Sequence, residues 1–159
     1  MNPSMQTVLN TFRVGSGLLE KGISTLDDAA AAQIVVDNTN PTVWLVGHLL
    51  MSRWYLLGLF TEPEELPWAS VLGKKYDPSA VYPTVAELKE AWTNVSDALF
   101  EQMERASDDH YEKGIDWNLP NGDKTVRGAC LFYCYHEGWH LGQIAYARKG
   151  MGMEGLVPY

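Results

Sequence analysis

The sequence predicts an all-α protein, a four-helix bundle. Four long stretches carry apolar residues at spacings of three and four, cap signals mark their ends, and no stretch makes a convincing strand. The first helix is expected from about Ser4, a fitting N-cap, to Lys21, with Val8, Phe12, Leu18 and Leu19 as its apolar stripe. Gly15 and Gly17 either weaken it or let a neighbour approach closely. A polar, alanine-rich connector, 24–40, has room for a short helix near Asp27 to Gln33.

The second helix starts at Asn40-Pro41, an N-cap with proline at the first helical position, and runs to about Phe60 before Glu62-Pro63. Thr84-Val85-Ala86-Glu87 has the form of a capping box and opens the third, whose stripe is Leu88, Ala91, Trp92, Val95, Leu99 and Met103. The fourth starts near Thr125 and reaches Lys149, with Arg148 and Lys149 in the last turn and Gly150 as the expected C-cap. Two long loops separate these helices. Residues 61–83 hold four prolines among aromatics, and 107–123 end in the turn Leu119-Pro120-Asn121-Gly122.

Length and composition fit one soluble domain, 1–159, with 46% hydrophobic and 20% charged residues. A formal charge of −8 without any basic stripe argues against nucleic acid as a partner. The N-terminus has neither a basic flank nor an apolar run, so no secretory signal is expected. Residues 43–60 are apolar, but His48, Ser52 and Arg53 near their middle suit a buried bundle helix better than a membrane span. Cys130 and Cys134 are no C-x-x-C pair and read as small buried hydrophobes in a reducing cytoplasm.

Three of the four histidines fall on predicted helices. His136 and His140 lie four apart, on one helix face about 6 Å apart along the axis, close enough for two imidazoles to share an ion. Ala129, Phe132, Tyr133, Ile144 and Ala147 make the face around them apolar, so the pair is expected to point to the core. His48 lies on the stripe Leu45, His48, Leu49, Ser52, Leu56 and Leu59. Metal binding and structural burial both remain open for the pair alone. His110 sits in a polar stretch and is expected to be solvated.

His136-Glu137-Gly138-Trp139-His140 also matches the H-E-x-x-H pattern of zinc proteases. Little chain follows it for a catalytic subdomain, and the glycine offset after it is wrong for the longer form of that motif. Glu137 is turned about 100° from His136 on a helix, which suits a supporting or surface role as well as a catalytic one.

Asn40-Pro41-Thr42-Val43-Trp44-Leu45-Val46-Gly47-His48-Leu49 resembles the first histidine motif of the DinB-like (DinB/YfiT) superfamily. His136-Glu137-Gly138-Trp139-His140-Leu141-Gly142-Gln143-Ile144 resembles its second, H-x-x-x-H-x-G-Q-I, and the Leu119-Pro120-Asn121-Gly122 turn is also similar. The match spans essentially the whole chain in order and spacing, and its motifs are specific for the family more than for any one activity. The resemblance implies up-down-down-up connectivity and a metal held by His48, His136 and His140. Leu141 stands where many members carry arginine, which leaves the metal ligands intact but removes that arginine's anion contact.

Three histidines leave a dication an open position for water or a substrate atom. Imidazole ligation suits a divalent transition metal, zinc or nickel ahead of iron or manganese. Characterised members of the family include transferases and isomerases that use low-molecular-weight thiols, so the leading expectation from the resemblance is S-transfer from such a thiol to an electrophile. A hydrolase using metal-bound water, or a non-catalytic metal- or small-molecule-binding bundle, are the other readings. Tyr55, Tyr133, Ser52, Arg53 and Gln143 are the polar groups expected near the metal, with core hydrogen bonds, or a solvated head for Arg53, as their plainer roles. No catalytic base stands out. Trp54, Tyr55 and Trp92 could make a dimerising surface, although packing accounts for each more simply, and a cytoplasmic homodimer with a small-molecule substrate is expected.

Overall fold

Residues 3–157 are described in a computed structural model of the chain; residues 1–2 and 158–159, the ends of the expected 1–159 domain, lie outside them. The described residues form seven helices and no named strand: α1 (Pro3–Ile23), α2 (Asp28–Ala32), α3 (Thr42–Leu57), α4 (Ala69–Leu72), α5 (Val85–Arg105), α6 (Asp108–Tyr111) and α7 (Val126–Gly150). The long helices α1, α3, α5 and α7 make the bundle, with α1 packed between α5 and α7, and α3 likewise between α5 and α7.

Directions follow from the contacts. Gly15 of α1 faces Glu137 of α7 and Gly22 meets Arg148, so α1 and α7 run in parallel. Arg13 pairs with Glu104, while Ser16 reaches Ser96 through Arg53, so α5 runs opposite to α1. Arg53 meets Glu137, and Leu45 shares a cavity with Tyr146, which makes α3 antiparallel to α7. The connectivity is therefore up-down-down-up. Because α3 and α5 run the same way, residues 58–84 must travel back along a helix of 16 residues, about 24 Å at 1.5 Å per residue. That requirement accounts for the longest loop.

Local chemistry starts and stops these helices. Thr84 accepts from the Glu87 N–H, and the Glu87 carboxylate accepts from the Thr84 N–H, which completes the predicted capping box of α5. Thr125 caps α7 by accepting from the Gly128 N–H. The Asp123 carboxylate in turn accepts from both the N–H and the hydroxyl of Thr125. Asp27 caps α2, inside the range the sequence indicates. Leu9, Phe12 and Leu19 of α1, Leu49, Leu50 and Leu56 of α3, Trp92, Leu99 and Met103 of α5, and Ile144 of α7 fill the core. No helix among the described residues is long and apolar enough to cross a membrane.

Several expectations shift. Ser4 lies inside α1, whose first residue is Pro3, so it is no N-cap. Pro41, not Asn40, is the N-cap of α3, with no side-chain cap bond, and the helix ends at Leu57. Its stripe widens to a helix buried nearly all round, because α5, α7, α2 and α4 each pack on it. Gly150 stays helical and Met151 is the C-cap, with the left-handed turn deferred to Gly152 (φ 76). Both loops hold short helices packed on the core, through Leu72 of α4 and Tyr111 of α6. His110 is half-buried, its Nε2 3.0 Å from the Leu59 carbonyl and its ring stacked on Phe60. Trp54, Tyr55 and Trp92 make no common surface: Trp92 is fully buried and Trp54 half-buried, which leaves Tyr55 exposed.

Candidate metal centre

From Glu137 onward the buried residues of α7 are Glu137, Leu141, Ile144 and Arg148, at spacings of four, three and four. His136 and His140 each precede one of these by a residue, so they are rotated about 100° off the core axis toward α3. They are half-buried rather than inward-pointing. This offset places them opposite His48, the one half-buried residue between Thr42 and Arg53.

The three rings converge through one nitrogen each. His136 Nε2 lies 3.1 Å from His48 Nε2 and 3.1 Å from His140 Nε2, and all three ligand atoms fall within 4.8 Å of one another. Nitrogens held tetrahedrally on zinc at about 2.0–2.1 Å are roughly 3.3 Å apart, so the spacing fits a shared ion. The proton inventory agrees. His140 Nδ1 lies 2.6 Å from Gln143 Oε1, an acceptor, so Nδ1 carries the proton and Nε2 presents a lone pair. His136 Nε2 faces that lone pair. The buried His136 Nδ1 has no partner among the described residues, whichever of its ring nitrogens carries the proton. A divalent cation would be satisfied by three Nε2 lone pairs, which His48 and His136 also present when their protons sit on Nδ1.

Electrostatics keep the rings neutral. Burial, then the neighbouring His140, pushes His48 down to about 4. Burial, with His140 and His48 adding to it, does the same to His136, also to about 4. His140 is lowered by burial against a smaller opposing effect of its bond to Gln143. Neutral imidazole is the metal-ligating form.

Packing orients each ring. Trp44 stacks on His48 at a centroid distance of 4.8 Å and 6° between planes. Its indole N–H donates to the Lys74 carbonyl at 3.0 Å, so the long loop holds the stacking partner in place. Gly47 makes this possible, since a Cβ there would collide with Leu72 of α4. Phe132 and Tyr133 flank His136, both at 5.9 Å, and Trp139 lies nearly parallel to His140.

The other expected polar groups divide. Gln143 is at the site, as the partner of His140, and its i+3 spacing was legible in the sequence. Ser52 donates to the His48 carbonyl at 2.9 Å and so belongs to the helix, not to the cluster. Tyr133 packs on His136, with burial pushing its hydroxyl up, while Tyr55 is exposed.

Arg53 does not send a solvated head to water; it is buried with Glu137. Its Nε and Nη2 donate to both carboxylate oxygens at 2.9 and 2.6 Å, Nη1 to Ser16 and Ser96, and Nη2 also to the Phe12 carbonyl. All five N–H donors are thus used, and the guanidinium lies 3.8 Å from the centre of the Trp92 ring. Burial raises the Glu137 carboxyl and lowers Arg53, and the bidentate pairing opposes both shifts. Glu137 therefore points across the bundle to α1, α3 and α5, away from a water-activating position beside the histidines. Sequence reasoning missed this pairing because its partners lie 84 residues apart.

A family model described as the DinB superfamily matches residues 12–144. Among solved structures, YfiT from Bacillus subtilis, a probable metal-dependent hydrolase with an unusual four-helix bundle topology, is similar with a TM-score of 0.62. The likeness covers 97% of this chain and 91% of that one at 17% sequence identity, a level that speaks for the fold alone. No curated protein matches the chain.

Proposed function

Because the chain belongs to the DinB superfamily, we propose that it is a metal-dependent enzyme in which His48, His136 and His140 hold one divalent transition metal and a small-molecule substrate takes the open position. The observation that carries this reading is the convergence of one Nε2 atom from each of three neutral imidazoles, all within 4.8 Å of one another. A dication bound there would lower the pKa of a water or thiol in its open position.

The thiol is the leading reading within this proposal. The candidate cluster of metal ligands among the described residues contains only the three rings, and the motif's carboxylate, Glu137, is engaged by Arg53. A thiol, with a free pKa near about 8.5, is ionised by a smaller shift than water at about 15.7, and among the described residues no carboxylate beside the rings is free to accept a proton from water. In the proposed transfer the thiol proton goes to solvent, sulfur bonds to the electrophilic carbon, and the leaving group departs with its electron pair. Gln143 orients His140 through Nδ1, and Trp44 fixes the plane of His48. Hydrolysis is the second reading, supported by the likeness to YfiT.

Elemental analysis of untagged protein should find about one equivalent of zinc or nickel, lost in His136→Ala/His140→Ala. Protein that neither contains nor takes up either metal would overturn the metal reading. Zinc-loaded protein given a cellular thiol and an electrophile should form the conjugate, and His48→Ala should abolish turnover. Undiminished turnover in that variant, or ester hydrolysis without conjugation, would sink the S-transfer reading.

A further inference from the structure

Beside the histidine cluster, α7, Leu45 of α3 and the connector before α3 line a partly open cavity of about 300 Å³. Trp139 and Tyr146 form one wall, and Val35, Val36 and Leu45 the other. Its polar groups, from Thr39, Asn40 and Gln143, are uncharged, and no acidic or basic residue lines it. Gly142 lies between the two aromatic residues, and a Cβ built there meets nothing within 4 Å. Trp139 and Tyr146 are 61% and 65% exposed. The cavity shares two residues with the surroundings of His140: Gln143, which accepts from its Nδ1, and Trp139, whose ring lies 6.0 Å away at 10° to the imidazole plane.

We propose that this cavity is the binding site for a neutral aromatic or aliphatic group of a small molecule. The size and lining define the ligand class. An apolar cavity of about 150 Å³ accommodates one benzene ring, so the volume suits one or two rings. Flat aromatic walls favour a planar group stacked on Trp139 or Tyr146. The absence of charged lining side chains would leave a carboxylate, phosphate or ammonium without a counter-charge, which selects a neutral ligand. One polar substituent can be met by Asn40, Thr39 or Gln143 at the edge. This assignment rests on the proposed metal centre only for its catalytic sense: the bound group would be the hydrophobic part of the substrate, its reactive end directed to the His140 side.

The test uses a neutral, environment-sensitive naphthylamine dye as probe, titrated into the full chain with and without zinc. Enhanced, saturable fluorescence is expected with the wild type, lost in Gly142→Leu, which fills the cavity, and retained in Gly138→Leu. Gly138 is an equally open helical glycine on α7 that does not line the cavity, so it controls for an added leucine on the same helix. Circular dichroism confirms that both variants fold. Binding should persist in His136→Ala/His140→Ala, which separates failure of the cavity from failure of the metal reading. Equal dye binding by wild type and Gly142→Leu would overturn the assignment. So would sedimentation showing a wild-type dimer that Gly142→Leu dissociates, because the cavity would then belong to an interface between copies.

Discussion

Removing the charge of Glu137 should be among the most damaging single changes in this protein. In Glu137→Gln the amide cannot accept both guanidinium bonds, and the Arg53 charge stays buried among Phe12, Trp92 and Phe100 without a counter-ion. The pair's side chains are 2% and 6% exposed, so water cannot screen the loss. Breaking a buried pair from one side costs about 3–5 kcal/mol. For a domain with roughly 5–15 kcal/mol in total, that is a large share. At about 2–4 °C per kcal/mol it lowers Tm by roughly 6–20 °C.

Replacing both partners is a different perturbation. Arg53→Met/Glu137→Leu removes both charges and leaves chiefly the Ser16 hydroxyl and the second lone pair of the Phe12 carbonyl (which keeps its bond within α1) short of a partner, because Ser96 still donates to the Trp92 carbonyl. At about 1 kcal/mol each, the double variant should lie within roughly 2 kcal/mol of wild type. Urea denaturation of wild type, both single variants and the double variant measures the coupling directly. If Glu137→Gln costs less than about 1 kcal/mol, or the double variant is as unstable as the sum of the singles, the two groups do not act as a buried pair.

Two further outcomes follow from the same geometry. Gly15→Ala should destabilise by about 1–3 kcal/mol because its Cβ would meet the Glu137 carboxylate, whereas Gly17→Ala, with open space around it, should stabilise by roughly 0.5–1 kcal/mol; chemical denaturation that ranks them the other way would refute the close approach of α1 and α7. The histidines are held below their unfolded value of about 6.5, with His48 and His136 near 4, so the unfolded chain binds more protons between those values. Stability of the metal-free protein should therefore be fully present above pH ~6.5 and fall as pH drops toward ~4, a window that His48→Ala/His136→Ala should flatten in urea titrations.

Helices, caps and ligand candidates were legible because each depends on residues near one another in the chain. Thr84 and Glu87 are three apart, as are Thr125 and Gly128, and His136 and His140 are four apart on one helix face. The first helix boundary was less legible, since Ser4 looks like a cap whichever residue precedes it. His110 misled for a related reason: its neighbours in sequence are polar, while Leu59 and Phe60, its neighbours in space, are about fifty positions away.

The sequence by itself determined the four long helices, though not the short α4 and α6 inside the expected loops, that the long helices form a bundle, and which three histidines could meet. Periodicity, caps and motif spacing are short-range properties. Only the tertiary structure decided how far α7 is rotated against α3, and so whether 136 and 140 face the core or the seam beside it. That rotation is tied to Arg53 and Glu137 and to the space left by Gly15. Each is a contact between segments that the chain keeps far apart, where hydrogen-bond geometry and van der Waals exclusion act and no local pattern records them.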